Sequence, residues 1–227
     1  MTSSSFGIRG RVKDLSFPRR RESNEIGSPP TRGRQEARGR RVVWWIAALL
    51  ACFAFWELTS AGWIHAKAFV AQSLIASSWK EAKATGRAQR PWPWADTRPI
   101  AKLTVAGRGV ELYVLDGSTG RSLAFGPGHV DGTALPGSAG NSVIVAHRDT
   151  HFAFLRDLSA DEEIAVEDAK GRTTRYRVRE VAVVDKSETR VLEAADSPQL
   201  TLITCYPFDA IQPGTRLRYV VIADRIA

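Results

Sequence analysis

The sequence predicts a mainly β domain behind a single N-terminal membrane-spanning helix. Three observations carry this reading. From residue 100 onward, short β-branched runs alternate with Gly and Pro turns, the pattern of a barrel or a sandwich. Residues 42–64 form an apolar stretch of 23 residues with one charge, Glu57. Ahead of it lies a polar, Arg-rich head that lacks the apolar content needed for a core.

Residues 1–41 contribute +7 of the +8 formal charge, so the basicity belongs to a tail and not to a folded surface. A segment rich in Ser, Arg, Gly and Pro is expected to be disordered. A cationic tail suits either nucleic acid or a membrane flank, and the following stretch favours the membrane. A bilayer core takes about 20 apolar residues in a helix. Trp44, Trp45, Trp56 and Trp63 lie near its ends like an aromatic belt. The stretch is longer than a signal h-region, and the 41 residues before it exceed a normal n-region. Arg38, Arg40 and Arg41 place the tail in the cytoplasm by the positive-inside rule, and everything after about residue 65 outside. Glu57 fits near the outer interface, where a charge costs less than at the midplane. The expectation is a single-pass inner-membrane protein, touching lipid through residues 42–64, with no nucleic-acid partner.

Residues 65–90 read as a juxtamembrane helix and linker. Ile64, Ala68, Ala71, Ile75, Trp79 and Ala82 recur at spacings of three and four, an amphipathic stripe that stops before Gly86. Arg90-Pro91-Trp92-Pro93-Trp94 is extended, because each Pro pushes its predecessor out of the helical region, and its Trp residues are expected to pack. The domain at 91–227 then offers strands over 102–105, 110–115, 142–146, 164–167, 173–185, 199–204 and 216–223. They are broken at Gly107-Arg108-Gly109, Asp116-Gly117, Pro127-Gly128, Pro136-Gly137 and Pro213-Gly214. The polar, Gly-rich stretch 126–141 is long for a connection and reads as a functional loop.

The chemistry concentrates near the C-terminus. Leu200-Thr201-Leu202-Ile203-Thr204-Cys205 is an apolar run ending on a thiol, and the other cysteine, Cys52, lies in the membrane stretch. A strand-end Cys is either a small buried hydrophobe or a nucleophile, which needs a base and an oxyanion partner. Among His65, His129, His147 and His151, His147 follows the run Ser142-Val143-Ile144-Val145-Ala146, where a strand gives way to a loop. Arg216 and Arg218 share one face of the strand after Cys205 and are permanently charged; spacing alone does not choose between them. No Cys/His cluster has metal-ligand spacing, no calcium loop is present and no Gly-rich phosphate cradle opens a helix, so neither metal nor cofactor is expected.

Thr201-Leu202-Ile203-Thr204-Cys205 resembles the TLxTC signature of sortases, the membrane-anchored cysteine transpeptidases, and Val145-Ala146-His147-Arg148 resembles their strand-end histidine motif. The order His, Cys, Arg is the same, with 58 residues from His147 to Cys205. The hydrophobic run Tyr219-Val220-Val221-Ile222-Ala223 after Arg218 matches the family better than the residues after Arg216. Gly126-Pro127-Gly128-His129, the stretch to Gly137 and Cys205-Tyr206-Pro207-Phe208 look most like the class D-like type of Gram-negative proteobacteria. The resemblance covers about residues 90–227. It implies an eight-stranded sortase β-barrel in the periplasm and a substrate protein bearing an LPxTG-like C-terminal sorting signal. It implies an acyl-thioester on Cys205, a proton carried by His147, Arg218 bracing substrate and oxyanion, and transfer to an amine on the envelope or another protein. Thr204 is carried as a substrate-binding residue.

Two other readings compete. One is a non-enzymatic membrane-anchored β-barrel scaffold with Cys205 in its core. The other is a different cysteine acyltransferase such as an L,D-transpeptidase, but its Cys-x-Arg core is absent, since Arg comes 11 or 13 residues after Cys205. No disulfide is expected, because Cys52 is placed in the membrane.

Overall fold

The computed structural model describes residues 32–226. It divides into two compact units, one ending at Glu57 and one running from Leu58 to the C-terminus. A long helix, α1 (Arg32–Thr85), contains a segment Arg40–Ser60 long and apolar enough to cross a membrane. Both ends of that segment lie N-terminal of the expected 42–64. The disorder expected over residues 1–41 does not extend to 32–41, which are helical. Arg, Gln, Glu and Ala favour helix there, and the apolar helix downstream is already nucleated. The rest of that expectation, residues 1–31, lies outside the described residues.

In the second unit, Ala71, Ile75, Trp79 and Ala82 of the amphipathic stripe are buried, while Ala68 is exposed. Trp79 packs on Tyr113 with ring centroids 6.3 Å apart, Gln72 Nε2 donates to the Phe125 carbonyl at 2.6 Å, and Lys83 pairs with Glu167. The helix stops at Gly86, whose φ of 69° suits a left-handed cap and whose N–H returns to the Ala82 carbonyl at 2.9 Å. Of the two Trp beyond, Trp92 packs edge-on against Phe125 at 5.2 Å, but Trp94 is 80% exposed. Residues two apart in this Pro-flanked segment do not share one environment, so the expected packing holds for only one of them.

Eight strands close into a barrel: β1 (Pro99–Val105), β2 (Val110–Asp116), β3 (Gly128–His129), β4 (Asn141–Val145), β5 (Glu163–Asp168), β6 (Thr173–Asp185), β7 (Gln199–Tyr206) and β8 (Leu217–Arg225). Their order around the barrel is β1-β2-β3-β4-β7-β8-β6-β5, with β5 returning to β1. The pairs β2/β3 and β4/β7 are parallel and the others antiparallel. The interior is filled by side chains such as Leu103, Ile144, Phe152, Ile164, Tyr176, Leu200, Leu202 and Val221. Closure leaves no free edge, which decides for a barrel over a sandwich.

The seven sequence-predicted strands are present, and β3 is the addition. At two residues it is too short to show an alternating pattern. Its Gly128 lies against the 117–118 backbone, where an added Cβ would collide with the Gly117 carbonyl oxygen. The strand sits inside the 126–141 stretch, and the residues after it are pinned. His129 Nε2 lies 2.9 Å from the Ala134 carbonyl, Thr133 Oγ1 donates to the Val130 carbonyl at 2.7 Å, and the Gly137 N–H donates to the buried Tyr176 hydroxyl at 2.9 Å.

Candidate active site

Parallel pairing of β4 with β7 runs from Asn141 opposite Gln199 to Val145 opposite Ile203. The Ala146 N–H donates to the Ile203 carbonyl at 3.3 Å and carries the ladder one step further. The same register continued sets His147 level with Cys205. On the other side of β7, Cys205 pairs directly with Arg218 of β8. Three residues far apart in the chain therefore meet at one end of three neighbouring strands.

Side-chain alternation fixes their face. Leu200 and Leu202 of β7, Val221 and Ala223 of β8 and Ile144 of β4 point into the barrel. The intervening residues Val143, Ile203 and Val220 form a second buried cluster on the outer surface, joined by Val145, Ile222, Val130, Val184 and Val191. Cys205 and Arg218 fall on this outer face, since residues two apart in a strand share a side, and His147 follows two residues past the end of β4. The site is an apolar floor of β-branched side chains ending in a thiol, an imidazole and a guanidinium. His147 is exposed; Cys205 and Arg218 are partly exposed, and Cys205 is a free thiol.

Thr204 faces the opposite way. It is 2% exposed, and its hydroxyl donates to the Ala146 carbonyl at 2.8 Å. This bond ties the residue before Cys205 to the residue before His147. The geometry favours a positioning part for Thr204 over the substrate contact expected from the sequence.

The two arginines separate clearly. Arg216 Nε donates to Asp185 Oδ2 at 2.7 Å in an exposed ion pair on the β6/β8 end. The Ser187 hydroxyl and N–H, with Arg216, hold the Asp185 carboxyl well below the usual range. Arg218 donates from Nη1 to the carbonyls of Thr215 at 2.6 Å and Leu217 at 2.9 Å, and has no acidic partner among the described ion pairs. Its charge is available to the Cys205 side of the sheet.

Beyond His147 the chain turns tightly, with the Phe152 N–H donating to the His147 carbonyl at 3.0 Å. Burial, reinforced by the neighbouring His147, pushes the His151 imidazole below its ordinary pKa.

The sequence reading missed the residues that hold the groove wall. Asn141 is buried and donates from Nδ2 to the carbonyls of Val191 at 3.0 Å and Glu193 at 3.1 Å, while its Oδ1 accepts from Thr201 Oγ1 at 2.7 Å. This network seats the connection before β7 so that Val191 reaches the apolar floor. An Asn following Gly140 reads only as a turn residue in one dimension. Among the described residues no three His, Cys, Asp or Glu converge as metal ligands. A concavity of about 1140 Å³ between α1 and the 92–97 segment contains none of the three site residues.

Comparison with known proteins gives the family of the barrel domain. The sortase domain family matches residues 103–226. Sortase D of Bacillus subtilis (strain 168) is 28% identical over 117 residues, which is 51% of this chain and 58% of that relative's length. Among solved structures, a Clostridium perfringens sortase D5 transpeptidase superposes with a TM-score of 0.53 and 28% identity, covering 65% of this chain and 88% of that one. Sortase C-1 from Actinomyces oris gives a TM-score of 0.52 and 25% identity, covering 67% and 98%. Two of these three carry the class D designation, in keeping with the class D-like motifs. A family match over more than half of the chain, on a closed eight-stranded barrel, establishes that this chain belongs to the sortase family.

Proposed function

We propose that this chain is a membrane-anchored cysteine transpeptidase that cleaves an LPxTG-like C-terminal sorting signal and transfers the acyl group to an amine. The observation that carries the reading is that Cys205 and Arg218 pair across β7 and β8 above an apolar floor, with His147 just past the same end of the neighbouring β4. A floor of Val and Ile side chains suits the apolar residues of a sorting signal lying extended along the sheet. Arg218 is the cation assigned to the reaction, because Arg216 is engaged by Asp185.

The Cys205 thiol passes its proton to His147 as Sγ attacks the carbonyl of the Thr-like residue of the signal, and charge builds on the carbonyl oxygen. Arg218 braces that oxyanion through fixed guanidinium donors. The tetrahedral species collapses, the peptide C–N bond breaks, and His147 gives a proton to the departing amine. A thioester remains on Cys205. The acceptor amine then attacks it while His147 takes back a proton, and the new amide leaves with Cys205 restored. Thr204 holds the two strand ends together through Ala146. The apolar segment Arg40–Ser60 crosses the inner membrane with the tail in the cytoplasm and the barrel in the periplasm.

The experiment is incubation of full-length protein with LPxTG-like peptides and an amine, read by intact mass. The expected result is an acyl adduct on Cys205 and an amide product, with both lost in Cys205→Ala, a fall of at least about 10³-fold as for removal of a covalent nucleophile. An excess of hydrolysed over amide product would mark a protease instead. No adduct across a broad peptide set, with Cys205 inert to alkylation, would favour the scaffold reading.

A further inference from the structure

Arg148 is the most deeply buried cation described, at 5% exposure, and it directly follows His147. A buried guanidinium is costly unless its donors are satisfied. Here each of the five N–H groups has a partner. Nε faces Asp149 Oδ1 at 3.2 Å, and Nη1 donates to the Pro207 carbonyl at 2.8 Å and to Thr215 Oγ1 at 3.4 Å. Nη2 donates to the carbonyls of Ala210 at 2.5 Å and Gln212 at 3.1 Å. Four of these acceptors lie on the one connection that joins β7 to β8, between Cys205 and Arg218.

Thr215 links this clamp to the site. Its hydroxyl accepts from Arg148, and its carbonyl accepts from Arg218 Nη1 at 2.6 Å. Phe208 anchors the start of the connection against Tyr206, Tyr219 and the core, but beyond it Ile211, Gln212, Pro213 and Gly214 are exposed and no helix or strand forms. One guanidinium supplies most of its tertiary hydrogen bonds. Resting on the transpeptidase reading above, we infer that Arg148 is a positioning residue which wraps the β7–β8 connection around its guanidinium and, through Thr215, fixes Arg218 opposite Cys205. Arg148 directly follows His147, so the clamp begins on the backbone segment that carries the imidazole. Lysine cannot replace it, having three donors on a flexible stem in place of a planar fork.

The test uses full-length protein in detergent micelles and three readouts: amide exchange over 207–216, peptide-resolved alkylation of Cys205 by iodoacetamide at neutral pH, and transpeptidation kinetics. Arg148→Lys is expected to raise exchange over 207–216 by about 10-fold or more. It is expected to slow Cys205 alkylation by about 3-fold, as Arg218→Ala does, by withdrawing the guanidinium set opposite Cys205. It is expected to lower kcat by roughly 10- to 100-fold with KM within about threefold, the mark of lost alignment and not of lost binding. Thr215→Val, which leaves the three carbonyl partners in place, gives smaller losses of about 3- to 10-fold in kcat. In an Arg218→Ala background, Arg148→Lys costs less than about threefold, since the two act through one element.

Unchanged exchange, or losses that simply multiply, overturns the inference. If Arg148→Lys does not fold, Thr215→Val decides by the same alkylation readout, and an unmoved rate overturns it. If wild-type protein forms no acyl adduct, the transpeptidase reading fails, while exchange and alkylation still decide whether Arg148 holds the connection and Arg218.

Discussion

The two faces of the β4–β7–β8 sheet are built from the same strands and nearly the same residue types, yet they do different work. The inner face, with Ile144, Leu200, Leu202, Val221 and Ala223, is sealed inside the barrel. The outer face, with Val143, Ile203 and Val220, is a buried floor only as far as its flanking loops reach, and it ends at His147, Cys205 and Arg218. Core residues and candidate site residues are thus interleaved along one strand. The parallel β4/β7 pair is apolar on both faces, so β7 reads as a continuous hydrophobic run and not as an alternating one.

The sharpest way to break this comparison is to mutate across it. Arg218→Ala, on the outer face, is expected to lower kcat/KM by about 10²- to 10³-fold with little change in melting temperature, as for loss of one oxyanion partner. Leu202→Ala, on the inner face, is expected to cost about 2–5 kcal/mol of stability by opening a cavity in a closed core. Urea unfolding checks it, and a loss confined to activity would mean the two faces are not separate. Thr204→Val lies between the two, removing the hydroxyl that reaches Ala146. A cost of about 1–3 kcal/mol, from leaving the buried Ala146 carbonyl without that donor, should accompany a fall in kcat at unchanged KM.

The smallest effect belongs to Arg216→Ala. Activity at neutral pH is expected to change less than about twofold, because an exposed ion pair contributes little. Its mark should appear in acid. Asp185 has a depressed carboxyl pKa, so its stabilising contribution is present above the ordinary value of about 4 and is lost as pH falls through the lower folded value. Arg216→Ala should narrow that acid window in pH-dependent unfolding without moving the neutral plateau. Equal activity losses for Arg216→Ala and Arg218→Ala would place both cations at the site and undo the distinction drawn from Asp185.

The sequence alone determined the strands with strong local pattern and the end of α1 at Gly86, and it set a thiol at the end of β7 and an imidazole just past the end of β4. These follow from short-range physics: side-chain periodicity, turn residues and a helix stop. It also held the membrane-length apolar stretch, set by composition. What it left open was everything fixed by partners distant in the chain. The two-residue β3 has no period to read and exists because β2 and β4 flank it. The resemblance already pointed to Arg218, but that Arg216 is engaged elsewhere needed Asp185 of β6, 31 residues from Arg216. Asn141 and Arg148 look like turn and surface residues until the fold buries them against carbonyls 50 to 64 residues away. Local pattern placed the candidate groups at or just past strand ends, and only closure of the barrel set the register that brings those ends together.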